Sequence, residues 1–119
     1  MIDEATKASL RAALEEQRDN LRAEIVEQGG DADSEDAVFD VERGFADSAH
    51  STAERARLLS VMKALRANLR WVDRALTKMD LGTYGVCERC GTPIPLERLE
   101  ALPWAARCLD CERLAPRER

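Results

Sequence analysis

The stretch Tyr84-Gly85-Val86-Cys87-Glu88-Arg89-Cys90-Gly91, followed by Thr92 to Arg107 and closed by Cys108-Leu109-Asp110-Cys111, decides the fold. Its four thiols are the only cysteines in the chain, and 17 residues separate the two Cys-x-x-Cys pairs. That spacing is the one expected of a four-thiolate zinc site. Zinc has no geometric preference from its d electrons and takes four soft thiolates as a tetrahedron. Two intervening residues let both sulfurs of a pair face one metal. Gly91 follows the first pair, where a tight knuckle favours a residue that accepts positive φ. All four positions carry cysteine, so no ligand position is left for water or substrate. The expectation is one closed, structural Zn2+ held by Cys87, Cys90, Cys108 and Cys111.

Other uses of these cysteines fit less well. Two disulfides need an oxidising compartment, and nothing here suggests export. A redox Cys-x-x-Cys usually appears once, beside a βαβ pattern. Iron–sulfur clusters usually use other spacings. The one histidine, His50, is remote in sequence.

Upstream, the chain reads as helix. Leu58, Met62, Leu65, Leu69, Val72, Leu76 and Met79 recur at alternating steps of four and three, which is three unbroken heptads. Ser51-Thr52-Ala53-Glu54 has the form of a capping box before them, with Asp47 or Ser48 as earlier capping candidates. A strict heptad seam needs a partner helix along its length. Asp3 to Gln28 supplies one, with Leu10, Leu14, Leu21 and Ile25 as its stripe, Gln17 interrupting it, and Gly29-Gly30 ending it. Asp3 and Glu4 place negative charge at its start, where the helix dipole favours it. An intramolecular antiparallel hairpin is therefore expected, and with it a monomer; a parallel dimer through the second helix is the alternative.

Between the helices, Asp31 to Asp47 holds seven acidic residues and one arginine. It reads either as a solvated acidic loop or as a short helix with Ser34 as cap and Val38 and Val41 on one face. Beyond Gly82, Pro93 and Pro95 predict an extended segment, and Leu96 to Leu102 a short helix stopped before Pro103. Trp104 is expected to pack as a core aromatic over the cysteine module or the base of the coiled coil. Glu112 to Leu114 is expected to add a final turn.

Fold class follows: mainly α, a long helical hairpin with an acidic tip, plus a small C-terminal zinc module. The expected boundaries are 1–80 for the hairpin, with its tip at about 29–52, and 81–119 for the module. Composition agrees, since five aromatics in 119 residues make a thin core. Residues 1–50 carry 14 acidic and 5 basic side chains, and residues 51–119 carry 9 and 13, so the halves are −9 and +4 and the total is −5. An acidic protein is a poor general binder of polyanions. The first 20 residues hold no apolar segment of a secretory signal, and no 18-residue apolar run exists, so a cytoplasmic protein away from the membrane is expected.

Tyr84-Gly85-x-Cys87-x-x-Cys90-Gly91, Ile94, Arg98-Leu99-x-Ala101-x-Pro103 and Cys108-x-x-Cys111 together resemble the DksA/TraR zinc-finger family of bacterial transcription regulators. The resemblance implies a non-enzymatic regulator that binds RNA polymerase directly, without sequence-specific contact to promoter DNA. It further implies that the coiled coil enters the polymerase secondary channel and brings its acidic tip toward the catalytic magnesium. The best-known members carry Asp-x-x-Asp-x-Ala at that tip. Here Asp47 matches, while His50 and Thr52 stand in place of the second Asp and the Ala, and these three are the expected partner-binding residues. Two other functions compete. One is a nucleic-acid-binding zinc module using Arg89, Arg98, Arg107 and Arg113, against which Glu88, Glu97, Glu100, Asp110 and Glu112 are interleaved. The other is a coiled-coil adaptor. No nucleophile–base set, phosphate loop or open metal position suggests an enzyme.

Overall fold

A computed structural model describes residues 2–31 and 51–114. It is mainly helical, in the order α1 (Glu4–Glu27), α2 (Thr52–Leu81), α3 (Leu96–Ala101) and α4 (Leu109–Leu114). Among the described residues the only sheet-type pairing is a single antiparallel bridge between Val86 and Pro93. No helix among them is long and apolar enough to cross a membrane. The acidic stretch after Asp31, with the expected short helix at Val38 and Val41 and the tip residues Asp47 and His50, lies outside the described residues.

The helix ends follow from their sequences. Asp3 caps α1: its carboxylate accepts from the Thr6 amide at 2.7 Å, and its carbonyl accepts from Lys7 at 2.9 Å. That amide hydrogen bond holds the Asp3 carboxyl below its ordinary value. Ser51 Oγ accepts from the Glu54 amide at 3.2 Å, which makes Ser51 the cap of α2 and leaves Thr52 as its first residue. Both helices end in one hydrogen-bond pattern. Gly29 N–H reaches Val26 O and Gly30 N–H reaches Ile25 O, at 3.0 and 2.9 Å. At the end of α2, Gly82 N–H reaches Met79 O and Thr83 N–H reaches Lys78 O, at 3.3 and 2.9 Å. These paired bonds define the Schellman stop.

Gly82 isolates the backbone cost of such a stop. Its φ is +78°, and a Cβ added there would meet nothing within 4 Å. Gly82→Ala is therefore expected to lose about 1 kcal/mol through backbone strain alone. Gly82→Asn should recover part of it, because Asn tolerates this conformation. Equal melting temperatures for Gly82→Ala and the parent protein would contradict this.

The chain divides into two compact units, Gln17–Arg70 and Met1–Glu16 with Trp71–Arg119. In the first, Leu21 and Ile25 of α1 and Met62, Leu65 and Leu69 of α2 are buried. Gly30 lies against Met62: a Cβ on it would come within 2.7 Å of the Met62 terminal methyl. Arg66 is also buried, with 4% exposure, and donates to the Asp31 carbonyl. In the second unit, Leu10 and Leu14 are buried together with Val72, Ala75, Leu76 and Met79. Arg11 pairs with Asp80 at 2.7 Å. Within each unit the two helices run antiparallel, since the start of α1 meets the end of α2 and the end of α1 meets its first half. Six of the seven heptad residues are buried; Leu58, the first, is intermediate. Trp104 is intermediate rather than a core residue.

Candidate metal centre

The cysteine module is built from turns that place amides around sulfur. After α2 stops, the chain passes Tyr84, whose hydroxyl donates to Pro103 O at 2.8 Å. Burial pushes the Tyr84 hydroxyl up to about 12, so it remains a neutral donor. Two bonds then close a narrow hairpin: Cys87 N–H to Thr92 O and Ile94 N–H to Gly85 O, both at 2.8 Å. At its apex Gly91 N–H returns to Cys87 O at 3.0 Å, with Gly91 at φ +76°. The Glu88 amide donates to Ala106 O at 2.9 Å and so joins the first knuckle to the chain entering the second. Pro95 precedes α3, and Leu99 of α3 is completely buried beneath the module. Cys108 O accepts from Glu112 N at 2.9 Å, carrying the second pair onto α4.

The four Sγ atoms lie within 4.8 Å of one another. Cys87 and Cys111 are buried, Cys108 is intermediate and Cys90 exposed. All four are free thiols. Cys90 Sγ and Cys108 Sγ are 3.8 Å apart. A tetrahedron with Zn–S bonds of about 2.3 Å requires sulfurs about 3.8 Å apart. The donor set and its spacing thus suit zinc and exclude a disulfide between that pair, whose sulfurs would sit about 2 Å apart. Among the described residues this is the one group of three or more His, Cys, Asp or Glu side chains arranged to hold a metal.

The electrostatics of the cluster are divided. Burial pushes the Cys87 thiol up, but amide hydrogen bonds from Cys90, Cys108 and Arg89 outweigh it, and the net shift is downward. The Thr92 hydroxyl, with Oγ1 2.9 Å from the Cys90 sulfur, and the Thr92 amide lower Cys90. Cys111 moves the other way, raised by its contact with Cys108, by burial, and by Cys90 and Cys87. Cys87 and Cys90 are shifted toward the thiolate, and Cys111 away from it. A cation in the centre removes that conflict, because four thiolates need a compensating charge.

Sequence reasoning named the four cysteines and Gly91, and the structure brings the four thiols together. Asp47 and His50 lie outside the described residues, and Thr52 opens α2 with an exposed side chain. Thr92 was given no role, and Arg107 and Glu88 were named only as a possible phosphate contact and as an acidic residue interleaved against it, whereas the structure sets Thr92 on the Cys90 sulfur and Glu88 and Arg107 on α2. Thr92 was legible as a hydroxyl two residues after a ligand; the other two act through residues of α2 far away in sequence.

Comparison with known proteins agrees with this centre. Residues 82–117 match the prokaryotic dksA/traR C4-type zinc finger. The chain is 33% identical over 116 residues to the RNA polymerase-binding transcription factor DksA of Escherichia coli (strain K12), covering 96% of this chain and 74% of that protein. It is 42% identical over 72 residues to general stress protein 16O of Bacillus subtilis (strain 168), covering 60% of this chain and 44% of that relative. This chain therefore spans under half the length of the Bacillus protein. Among solved structures, transcription factor DksA2 from Pseudomonas aeruginosa matches with a TM-score of 0.72 and 26% identity, over 94% of this chain and 84% of that one. The fold and the four-thiol centre define a helical-hairpin protein with a C4-type zinc finger and one structural zinc. The chain belongs to the dksA/traR family.

Proposed function

We propose that this protein is a zinc-containing, non-enzymatic transcription regulator that binds RNA polymerase directly, with Cys87, Cys90, Cys108 and Cys111 as the four ligands of its structural zinc. The observation that carries the reading is the match to the Escherichia coli RNA polymerase-binding factor over 116 residues, which spans both long helices as well as the finger. A zinc-finger match alone would be compatible with many partners. The nucleic-acid reading is weakened by what its arginines do: Arg98 donates to Arg107 O at 3.1 Å, and Arg107 pairs with Glu112 at 3.2 Å. Both are engaged within the finger rather than presented as a basic stripe.

In this reading the protein acts as a monomer in the cytoplasm, and its coiled-coil tip reaches through the secondary channel toward the catalytic magnesium. Asp47, His50 and Thr52 meet the polymerase there. A carboxylate delivered near Mg2+ changes the local field in a site where one charge matters. Asp47→Asn keeps the shape and removes the charge. It is expected to abolish most of the regulation while changing the Kd for polymerase by less than about threefold, roughly 0.6 kcal/mol. A helix-capping role for Asp47 predicts almost no change, because Asn caps as well as Asp, and α2 has Ser51 as its cap. Multi-round transcription and a binding titration with the cognate polymerase test both levels. Failure of the wild-type chain to bind polymerase overturns the function itself; wild-type regulation by Asp47→Asn overturns only the role of the tip.

A further inference from the structure

One face of α2 is gripped by residues adjacent to both cysteine pairs. Glu88 lies between Cys87 and Cys90, and its two carboxylate oxygens are used separately. Oε1 pairs with Arg74 and Oε2 with Lys78, one helical turn apart on α2. The side chains of Glu88 and Lys78 are partly covered, with exposures of 20% and 16%, while Glu88 as a whole residue is exposed. From the other pair, Arg107 immediately precedes Cys108, and its guanidinium lies 5.7 Å from the centre of the Trp71 ring. The Arg74 guanidinium lies 5.6 Å from the same ring. Arg107 is itself held, through its carbonyl by Arg98 and through its side chain by Glu112. Trp71, Arg74 and Lys78 sit at i, i+3 and i+7, on one face of the helix. The two knuckles thus reach a single face of α2, and Arg74 belongs to both contacts.

We propose that this arrangement is a metal-dependent clamp, through which zinc in the finger is sensed by the last turns of α2. The inference rests on zinc ligation by the four cysteines but is separate from polymerase binding. The physical reason is geometric. Glu88 and Arg107 come from chain segments that converge only while the two cysteine pairs are held together. The Glu88 amide bond to Ala106 O and the Cys108 amide on the Cys87 sulfur also join them here. With the pairs joined by metal, the carboxylate and the guanidinium are presented to α2 at a fixed separation, and little ordering entropy remains to be lost. When the pairs separate, neither contact is preorganised, and exposed ion pairs alone are weak. Coupling between two sites is reciprocal. Zinc therefore stabilises the Trp71–Lys78 segment, and the clamp retains zinc.

Trp71 supplies the readout, in a Trp104→Phe background so that it is the only tryptophan. Chelation should shift its emission to the red and raise its quenching by acrylamide, while circular dichroism shows most of the helix retained. Glu88→Gln and Arg107→Gln should each bind one zinc per chain but release it to a chelator roughly tenfold faster than the parent, the scale at which groups outside the ligand set tune metal sites. Lys78→Gln, which leaves Arg74 on Glu88, should show a smaller change in the same direction. Glu88→Asp tests whether reach as well as charge is needed, and should release zinc at a rate between the parent and Glu88→Gln. One zinc per chain with release rates within about twofold of the parent in both Glu88→Gln and Arg107→Gln would overturn the clamp while leaving the zinc site intact. Unchanged Trp71 emission after complete metal removal would overturn it as well. Absence of zinc from the parent protein would instead overturn the ligation on which the clamp rests.

Discussion

Removal of zinc, or replacement of Cys87 by serine, is expected to unfold residues 82–114 and to leave the helices of residues 17–70 in place. The finger has almost nothing else to hold it. Its buried residues are Cys87, Ile94, Leu99, Ala106 and Cys111, and two of these are cysteines of the cluster. Three apolar side chains cannot offset the conformational entropy of about thirty ordered residues. Its remaining bonds are short turns, each worth little by itself. Metal binding free energy is then folding free energy for this segment. Serine at position 87 removes the sulfur on which the amides of Cys90, Cys108 and Arg89 converge, so the first knuckle loses its centre. Amide hydrogen exchange resolved by peptide, together with elemental analysis, checks this. Parent protein should hold one zinc and protect residues 85–94; Cys87→Ser should do neither. Retained zinc and retained protection in that variant would contradict the expectation.

The same chemistry gives a pH signature. Zinc displaces protons from sulfur, and Cys111 holds its proton more tightly than an ordinary thiol because Cys108 crowds it and burial disfavours its charge. Acid strengthens the proton's side of that competition. Apparent zinc affinity is expected to fall as pH is lowered from about 8 to about 6, measured by competition with a chelator of known pH dependence. An affinity flat across that window would mean that the thiols enter the site already ionised.

What was legible beforehand shared one property: it was encoded by spacing along the chain. Cys-x-x-Cys repeated across 17 residues, heptads from Leu58 to Met79, and glycines after helical stripes are all local patterns. Each reports a geometric constraint that acts over one or two turns. The paired bonds after Gly29 and Gly82 and the four clustered thiols correspond to them directly. Features that depend on which distant segments meet were not legible. Ala75 is buried, with 4% exposure, although its small side chain adds little to a hydrophobic stripe. Arg66 falls beside a heptad position and would be assigned to solvent by its charge, yet it is covered and bonds to the Asp31 carbonyl. Trp104 looked like the anchoring aromatic because it lies within the module. Trp71 is the one that receives two guanidiniums, and Arg107 comes to it from 36 positions along the chain. No periodicity in the sequence couples position 71 to position 107. The acidic stretch differs again: its composition set out two alternatives, and a charge run does not choose between them.

Leu69→Asp is expected to cost more than about 4 kcal/mol, most of the stability of a domain this small. Leu69 is a heptad residue with 7% exposure in the unit formed by residues 17–70. Two terms add. Removing the leucine leaves a cavity and forfeits its burial, at roughly 2–5 kcal/mol for large-to-small changes in a core. Aspartate then places a carboxylate where the neighbouring heptad positions, Leu65 and Val72, are apolar and buried. An unpaired charge in such a setting must either be desolvated or take up a proton, and both are unfavourable. Asn68 is the control. It is exposed on the same turn of α2, and Asn68→Asp introduces the same charge with nearly the same helix propensity, so it should shift stability by less than about 0.5 kcal/mol. The contrast separates seam burial from any general intolerance of α2 to negative charge. Thermal melts followed by far-ultraviolet circular dichroism should show Leu69→Asp largely unfolded near room temperature and Asn68→Asp close to the parent. If Leu69→Asp melts within a few degrees of Asn68→Asp, then Leu69 does not face a dry seam in solution. The helices would then have to be held by something other than the heptad stripe, because no other set of apolar residues on α2 repeats along its length.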